Sequence, residues 1–444
     1  MTLLEKKIDR EIFTLALPAI AEMLLHTLVW TAMVGRLTPA DMSGVNLGAQ
    51  IMFTMANVMG AIGIGATALV ARNIGAKNNE RAEYIAGLSL SLGIVVALVL
   101  GVLGIIFSKS IFNAIVDDPM VIEIGTIYTR IVFVGAFFAI PLLICSAVLR
   151  AAGNTVVPMF SALVANTFNI VGDYVLIFGK YGFPALGAKG AAIATVGAHA
   201  ISFFICLFYL IKGVNGIKLR RFNMFRFDKA SLKSLVDLSI PAGMEIFMNE
   251  GSRLLSSFWI AQLGTIAFAA NSIAVAAESV SFMPGYGFAV AASTLIAQSL
   301  GANEVEKAKK IAKRCAVYSS LLMGVVGLAY YAFPFHIMRV FSSDVDTVSL
   351  AAICIRIAAF EQVPIAIGMV FSGVLKGAGD TRGPYKISLV TNFLVRLPLI
   401  FAIVFLIKGH IGYVWVATAL QYVVESSLMI YRYRSGNWLF LEIK

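Results

Sequence analysis

The sequence predicts an all-α polytopic membrane protein with twelve transmembrane helices, arranged as two pseudo-symmetric six-helix bundles. Hydrophobic residues make up 59% of the 444 residues and charged residues only 13%, a balance too apolar for a soluble chain of this length. Apolar runs of about 20 residues, each long enough to cross a bilayer as a helix, recur along the whole chain. A sequence repeat relates the first half to the second, so two equivalent bundles are expected.

The repeat is clearest in one loop, which reads VLRAAGNTVVPM at 148–159 and VLKGAGDTRGPY at 374–385, an offset of 226 residues. The same offset relates Arg130 to Arg356. Shared hydrophobicity alone does not keep glycines, prolines and charges in phase in this way. Homologous halves of a membrane protein commonly meet around a substrate site near the bilayer midplane, so the repeat makes transport the leading hypothesis.

The apolar runs place the spans along the chain. The predicted spans are 13–36, 43–71, 83–108, 121–149, 157–179, 187–211, 235–262, 266–299, 308–334, 347–375, 385–407 and 411–431. The longest polar stretch follows the sixth span and is the most basic, so it is the natural linker between the halves. The predicted domains are an amino-terminal lobe at 1–212, a basic cytoplasmic linker at 213–233 and a carboxy-terminal lobe at 234–444.

The repeated loops have a clear local interpretation. Gly153 and Gly379 are expected at positive φ, which glycine adopts without steric cost. Pro158 and Pro384 are expected to open the following helices, because the first turn of a helix does not need their missing amide hydrogen. We therefore expect these loops to serve folding and bending rather than substrate contact.

The net charge of +11 is explained by topology rather than by a nucleic-acid partner. With the amino terminus inside, 25 of the 35 lysines and arginines fall in inner loops and tails, 6 in outer loops and 4 within spans. This asymmetry predicts a multi-pass protein of the plasma or inner membrane with both termini in the cytoplasm. The basic inner loops are expected to meet membrane lipid. No cofactor is expected, and the protein is expected to be a monomer.

Three polar residues of the fifth span lie on one stripe of its helix. Asn166, Asn169 and Asp173 follow one another at i, i+3 and i+7. A carboxylate deep in a bilayer is costly, so it is a functional candidate until a structural partner accounts for it. Carboxylate and amide oxygens that converge here are suited to a hard monovalent cation such as Na⁺, or the carboxylate carries a proton instead. A hydrogen-bonded patch between helices is the alternative.

The first helix of each half carries a polar face after a proline. The positions step by four and are Glu22, His26 and Trp30 after Pro18, and Glu245, Asn249 and Arg253 after Pro241. Glu278 and Glu361 lie comparably deep in spans eight and ten. The polar residues of the second half form a candidate second-lobe or substrate site, which consists of Glu245, Asn249, Arg253, Glu278 and Glu361. A structural ion pair of Arg253 with Glu250 or Glu278 is the alternative.

Several motifs, in order and in both halves, carry a family resemblance. They are LPAIAEMLL and MVGRL in span one, the paired GAxxxxxxA turns, the two AGN/DT turns, NIVGDYVLIFG from Asn169, and LGAKGAAIAT ending at Thr195. Essentially the whole chain resembles the multidrug and toxic compound extrusion (MATE) family, DinF-like branch, within the multidrug/oligosaccharidyl-lipid/polysaccharide flippase superfamily. The resemblance implies two six-helix lobes facing a central cleft and a cation-coupled antiporter that exports organic, often cationic, compounds. It further implies that Asn169, Asp173 and Thr195 belong to the cation or proton site of the amino-terminal lobe.

The chain departs from the family pattern in the first helix. The family usually has an aspartate late in span one, whereas this sequence has Trp30 at that position. Three interpretations stay open: Glu22 replaces the missing acid, Asp173 works with amide and hydroxyl partners only, or the protein is impaired or differently coupled. We favour Glu22, because a carboxylate one or two turns away on a similar face is able to reach the lobe interior.

Other functional classes fit the sequence less well. A lipid-linked oligosaccharide flippase of the same superfamily is the alternative function, and Arg130, Arg253 and Arg356 are the arginines that it would use to bind pyrophosphate. A major facilitator carrier would have a G-x-x-x-D-R-x-G-R loop, but the corresponding loop reads GAKNNERA. An enzyme is not expected, because the sequence has no HExxH, GxSxG or similar motif.

Overall fold

The structure is a computed structural model. It describes the backbone of residues 3–34, 39–220 and 228–441, and the side chains of 5–24, 44–220 and 228–441. Within these ranges the chain is helical apart from short connections, and the extended backbone is limited to one isolated bridge between Val214 and Ile217. The predicted all-α polytopic membrane fold is confirmed.

Fourteen helices and a final 3₁₀ turn (Asn437–Phe440) make up most of the described part of the chain. Those of the first half are α1 (Leu3–Val34), α2 (Pro39–Gly60), α3 (Ile62–Gly75), α4 (Asn79–Ile115), α5 (Pro119–Ala151), α6 (Val156–Phe178) and α7 (Ala188–Lys212). Those of the second half are α8 (Lys229–Ala261), α9 (Thr265–Gly301), α10 (Val305–Ala332), α11 (Pro334–Arg339), α12 (Val345–Ala378), α13 (Arg382–Ile407) and α14 (Ile411–Arg434).

Ten segments among the described residues are long and apolar enough to cross a membrane. The predicted second span is correct in extent but is interrupted at Ala61, where α2 ends and α3 begins. The predicted seventh span lies in α8, which is not among these ten segments. It is less apolar than they are because it carries several charged residues. The first span lies in α1, part of which falls outside the residues with described side chains.

Repeat-related positions start and stop helices in the same way in both halves. Asp118 accepts a hydrogen bond from the backbone N–H of Met120, and Asp344 accepts one from Thr347, so equivalent aspartates cap α5 and α12. After the same two helices, Gly153 has a φ of 78° and Gly379 a φ of 94°, as predicted for the repeated loops.

Helix α13 is not regular along its length. Residues Thr391–Arg396 and Ala402–Ile407 form wider π-helical turns on either side of a short α-helical segment. Pro398, just after the first wide turn, has no amide hydrogen to donate to the preceding turn, which favours such a local widening. The widened turn sets the direction of Asn392 and Arg396, two polar residues of an otherwise apolar span.

The helices group into two compact units. The N unit comprises Ala21–Gly243, and the C unit comprises Met1–Ile20 together with Met244–Ile443. Each first helix therefore begins in one unit and ends in the other: α1 changes unit after Ile20 and α8 after Gly243. The two units and the predicted lobes at 1–212 and 234–444 therefore assign the starts of α1 and α8 differently. The lobes stay a prediction drawn from the repeat.

The start of α1 is built into the C unit. Ile8 and Ile12 are fully buried in an apolar cluster with Phe288 of α9 and Ile311 of α10. Burying two isoleucine side chains in this way contributes about 3–6 kcal/mol. Arg314 of α10 and the Tyr318 hydroxyl both hydrogen-bond to the Asp9 carboxylate.

The start of α8 is built into the N unit in the corresponding way. Leu235 is fully buried, and Ser239 lies so near α3 that a Cβ on Gly65 would come within 2.5 Å of its hydroxyl. Only glycine at position 65 allows this close approach, because any side chain there would displace the serine.

Candidate functional site

A single buried carboxylate marks the candidate site of the N unit. Asp173 of α6 has 5% of its surface exposed, and its Oδ1 has no hydrogen-bond partner among the described residues. The amide nitrogens of Asn166 and Asn169, on the same stripe of α6, are also buried without a partner in the part of the chain described. The predicted stripe therefore faces the interior of the unit, and within the described residues these two amide nitrogens take no part in a hydrogen-bonded patch.

Helix α5 supplies three further polar groups that are buried, Thr126, Tyr128 and Thr129. The Tyr128 side chain lies beside Thr195 of α7 and within electrostatic range of Asp173. The hydroxyls of both threonines are buried without a hydrogen-bond partner in the described part of the chain. Tyr128 thus lies near both of the predicted residues Asp173 and Thr195.

The packing of α6 against α7 sets these side chains at one level. A Cβ on Gly172 would lie 3.1 Å from the Cβ of Ala194, so the two helices approach closely at this point. Asp173 and Thr195 are the next residues of these two antiparallel helices, so their depths differ by only about 3 Å. Small residues that permit such approach are typical of helix contacts within membranes.

Helix α2 closes another side of the site. A Cβ on Gly48 would lie 2.4 Å from Oγ1 of Thr129 and 2.8 Å from Cδ1 of Tyr128. Two residues earlier, the Oδ1 atom of Asn46 is buried and has no partner within the described ranges. The site is thus lined by amides and hydroxyls from α5, α6 and α7, and Gly48 of α2 packs against it.

No lysine or arginine among the described residues forms an ion pair with Asp173. The described residues also contain no group of three histidine, cysteine, aspartate or glutamate side chains that would suit a transition metal. One carboxylate among neutral oxygens is instead suited to a monovalent cation or to a proton. A Na⁺ ion at Asp173 and Asn169, as the sequence suggests, would draw on these neutral oxygens for the rest of its ligands.

Glu22 occupies a different part of the N unit. Its carboxylate forms an ion pair with Arg150 at 3.2 Å, near the end of α5. Both groups lie within electrostatic range of Cys206, which follows Thr195 on α7 by eleven residues, or about 16 Å. The structure does not bring Glu22 to Asp173. The side chains of His26 and Trp30 lie outside the described residues.

The C unit holds a second buried acid site with a different composition. Glu361 of α12 is fully buried and Glu278 of α9 has 6% of its surface exposed. Their carboxyl groups are neighbours and interact directly. Neither oxygen of Glu361 meets an N–H or hydroxyl donor in the described part of the chain. Two carboxyl groups in contact repel unless a proton or a cation lies between them.

Two arginines surround this pair of acids. Arg253 of α8 and Arg396 of α13 both lie within electrostatic range of Glu278, and Arg396 also lies near Glu361. Arg253 forms a further ion pair with Glu250 at 3.7 Å, with about 40% of both side chains exposed. The predicted ion pair of Arg253 with a nearby glutamate is confirmed, so the acids of the C unit are balanced by cations of the same unit.

The other predicted residues of the second half form two separate contacts. Glu245 pairs with Lys376 at 2.8 Å, and both side chains are largely buried. Asn249 accepts hydrogen bonds at 2.7 Å from Ser388 and from Asn392, so it belongs to a closed amide and hydroxyl network between α8 and α13. Glu245 and Asn249 therefore each have partners other than Glu278 and Glu361.

The Glu245–Lys376 pair repeats the Glu22–Arg150 pair. Lys376 follows Arg150 at the repeat offset of 226, and Glu245 follows Glu22 by 223, the offset that also relates Pro241 to Pro18. Each pair joins the first helix of a half to the helix that precedes the AGN/DT loop. The sequence contains both acids and both bases at matching positions, and this correspondence is the signal that would have predicted the pairs.

Comparisons with known proteins agree with the fold. The chain matches the MatE family over residues 18–175 and 241–402. It is similar to the probable multidrug resistance protein NorM of Thermotoga maritima, with 30% identity over 437 residues, 97% of this chain and 93% of the relative. The probable multidrug resistance protein YoeA of Bacillus subtilis is 28% identical over 416 residues, 93% of this chain and 89% of the relative.

A solved structure described as the outward-facing conformation of a multidrug resistance MATE family transporter of the MOP superfamily superposes with a TM-score of 0.90. The two proteins share 18% sequence identity, and the match covers 97% of this chain and 96% of the other. At this identity the likeness concerns the fold alone.

Proposed function

Because the chain belongs to the MatE family, whose members are membrane transporters, we propose that it is a secondary active multidrug efflux antiporter. It exports organic, often cationic, compounds in exchange for Na⁺ or H⁺ by alternating access. The names of its relatives support multidrug export, whereas the antiport mechanism rests on the residues described above. The DinF-like branch stays a prediction from the sequence motifs.

The observation that carries the coupling proposal is the uncompensated charge of Asp173. The carboxylate is buried among amides and hydroxyls, and no cation among the described residues pairs with it. An ionised carboxylate in such surroundings is costly, so the site favours the binding of a cation or a proton from solution. Ion binding at Asp173 is thereby linked to the stability of the conformation that buries it.

Coupling follows from that linkage. If two conformations of the transporter differ in how well they hold the ion, occupancy shifts the population toward the one that holds it better. A preference of about 5.5 kcal/mol moves a two-state equilibrium from 1:99 to 99:1, which is enough for a transport cycle. Asn166, Asn169, Thr195 and Tyr128 contribute by supplying neutral ligands or by fixing the orientation of the carboxylate.

The C unit supplies the candidate second site. Glu278 and Glu361 hold a proton or a cation between their carboxyl groups, while Arg253 and Arg396 limit the net charge of the site. Arg253 is balanced by Glu250 and Glu278, so its guanidinium is poorly suited to the pyrophosphate of a lipid-linked oligosaccharide. This contact favours drug export over the flippase alternative.

The test is transport in inverted membrane vesicles with a fluorescent organic cation as substrate. A Na⁺ gradient and a pH gradient are imposed separately, so that the gradient that drives uptake identifies the coupling ion. The Asp173→Asn variant keeps the shape of the side chain but cannot be ionised, and it should lose ion-driven uptake by more than tenfold.

The matched control is Asp117→Asn, the same change at an exposed aspartate that precedes α5. It should transport at the wild-type rate. Near-normal ion-driven uptake by Asp173→Asn, in protein that is inserted at the wild-type level, would refute the coupling role of Asp173.

A further inference from the structure

Four arginines lie within the predicted spans, and they divide into two groups. Arg253 and Arg396 have carboxylates nearby, as described for the C unit. Arg130 of α5 and Arg356 of α12 are exposed, and neither forms an ion pair with a described residue. They are related by the repeat offset of 226, so the two halves place the same unpaired cation at the same point.

Both arginines lie on the outward face of their helix. Four residues after Arg130, Val134 is 56% exposed, and four residues after Arg356, Phe360 is 69% exposed. Positions four apart share one helix face. In a membrane protein, an exposed apolar face of a spanning helix is covered by lipid chains, so both guanidinium groups emerge from a lipid-facing surface.

Their depth brings them close to a membrane interface. Each arginine follows the first residue of its helix, Pro119 or Val345, by eleven positions, or about 16 Å. Helices of 33 and 34 residues are about 50 Å long, so roughly 10 Å of each end lies beyond a hydrocarbon layer of about 30 Å. The arginine Cα atoms are then about 6 Å inside the hydrocarbon, within reach of the interface for an extended arginine side chain.

The contacts of the two side chains leave guanidinium donors available. Arg130 donates through Nε to the Ser108 hydroxyl at 3.2 Å, and this is the hydrogen bond that the structure gives it. The Arg356 guanidinium lies 5.7 Å from the ring centre of Phe335, in the short helix α11. A guanidinium held at one edge or on one face still offers two parallel N–H groups, which match the two oxygens of a phosphate.

We propose that Arg130 and Arg356 form two repeat-related binding sites for the phosphodiester group of membrane phospholipids. The lipids bind at the face where α4 ends and α5 begins, which the charge distribution predicts to be the outer face. Their acyl chains cover the exposed apolar stripes, and their phosphates supply the anions that the protein does not. A free phosphate ion is excluded as the ligand, because the sites open onto the lipid-facing surface.

Native mass spectrometry of the purified protein, after incubation with phosphatidylethanolamine and phosphatidylglycerol, tests this proposal by counting retained phospholipids. Arg130→Gln and Arg356→Gln should each retain one fewer phospholipid than the wild type, and the double variant should lose both. Lys109→Gln removes an exposed positive charge next to Ser108 and is the matched control; it should retain the wild-type number. Arg130→Lys should bind more weakly than the wild type, because a lysine cannot form the bidentate contact.

Two results would overturn the proposal. One is a double variant that retains as many phospholipids as the wild type, and the other is displacement of the retained lipid by inorganic phosphate. A photoactivatable phosphatidylethanolamine provides a test on the wild-type protein alone, independent of variant folding. It should label peptides around Arg130 and Arg356, and labelling confined to other regions would also contradict the two sites.

Discussion

Asp173 in the N unit and Glu361 in the C unit are both buried carboxyl groups within membrane-spanning helices, yet their surroundings differ. Asp173 lies among amides and hydroxyls, with no cation from the described residues beside it. Glu361 contacts a second carboxyl group and has Arg396 nearby. The first acid therefore depends on solution for its counter-charge, whereas the second is largely balanced within the protein. This difference supports the proposal that ion exchange with solution takes place first in the N unit.

The largest expected effect comes from removing the internal balance of the C unit. Arg396→Met should leave Glu278 and Glu361 without their shared cation and lower the free energy of unfolding by about 3–5 kcal/mol. Asp173→Asn should have the opposite sign, because it removes a buried charge that lacks a partner. Thermal unfolding of both variants in the same detergent measures the contrast. Stabilisation by Arg396→Met would contradict the claim that the acids of the C unit are balanced by a cation within the protein.

The repeated ion pairs provide the next test. Double-mutant cycles with Glu22→Gln and Arg150→Met, and with Glu245→Gln and Lys376→Met, should each give a favourable coupling energy of about 1–3 kcal/mol. The second pair should couple more strongly, because its atoms are 2.8 Å apart rather than 3.2 Å. Unfolding measurements on the four single and two double variants give both energies. A coupling energy near zero for one pair would show that the repeat keeps the two side chains in contact in that half, but that the contact does not stabilise the fold.

Close packing around the two sites differs as well. Gly48→Ala should cost about 1–3 kcal/mol and weaken ion-driven transport, because its methyl group would collide with Tyr128 and Thr129. Gly251→Ala is the matched control in α8, where nothing lies within 4 Å of the added Cβ. That variant should be stabilised by about 0.5–1 kcal/mol through the better helix propensity of alanine. Equal unfolding temperatures for the two variants would contradict the packing described at Gly48.

The smallest effect is expected from a single hydroxyl. Tyr128→Phe removes the hydroxyl that lies near Thr195 and Asp173, at a cost of about 1 kcal/mol. The ion concentration that half-saturates transport should then rise about fivefold. Tyr422→Phe, near the charged residues of the C unit, is the control and should leave this value unchanged if the coupling ion binds only in the N unit. A shift for Tyr422→Phe alone would move the coupling ion to the C unit.

Much of the fold followed from hydrophobicity and the repeat. The span predicted at 266–299 appears as α9 (Thr265–Gly301), because a long apolar run between polar turns has few alternative structures in a bilayer. The break at Ala61 and the π-helical turns of α13 could not be predicted, because they depend on local packing. The sequence also did not predict that α1 and α8 each begin in one unit and end in the other. Hydrophobic periodicity shows which face of a helix is buried, but it does not specify which distant part of the chain packs against that face.

The candidate site was predictable in part. Asp173 and its two asparagines stand out because charge and amides are rare in a membrane span. Thr126, Tyr128 and Thr129 do not, since hydroxyl residues are common in such helices and usually bond to their own backbone. The interpretation of Glu22 as a substitute acid rested on the helix face alone. The structure shows Arg150 beside it, a partner 128 residues away that helical spacing does not reveal.

The placement of the start of α1 in the C unit constrains the order of assembly. Asp9 leaves the ribosome 309 residues before Tyr318, its hydrogen-bond partner. At roughly 5–20 residues per second, that interval is about 15–60 s, during which Ile8 and Ile12 have no core to enter. The first half of the chain is therefore synthesised with one helix end incomplete, and it reaches its final packing only after α10 has been made.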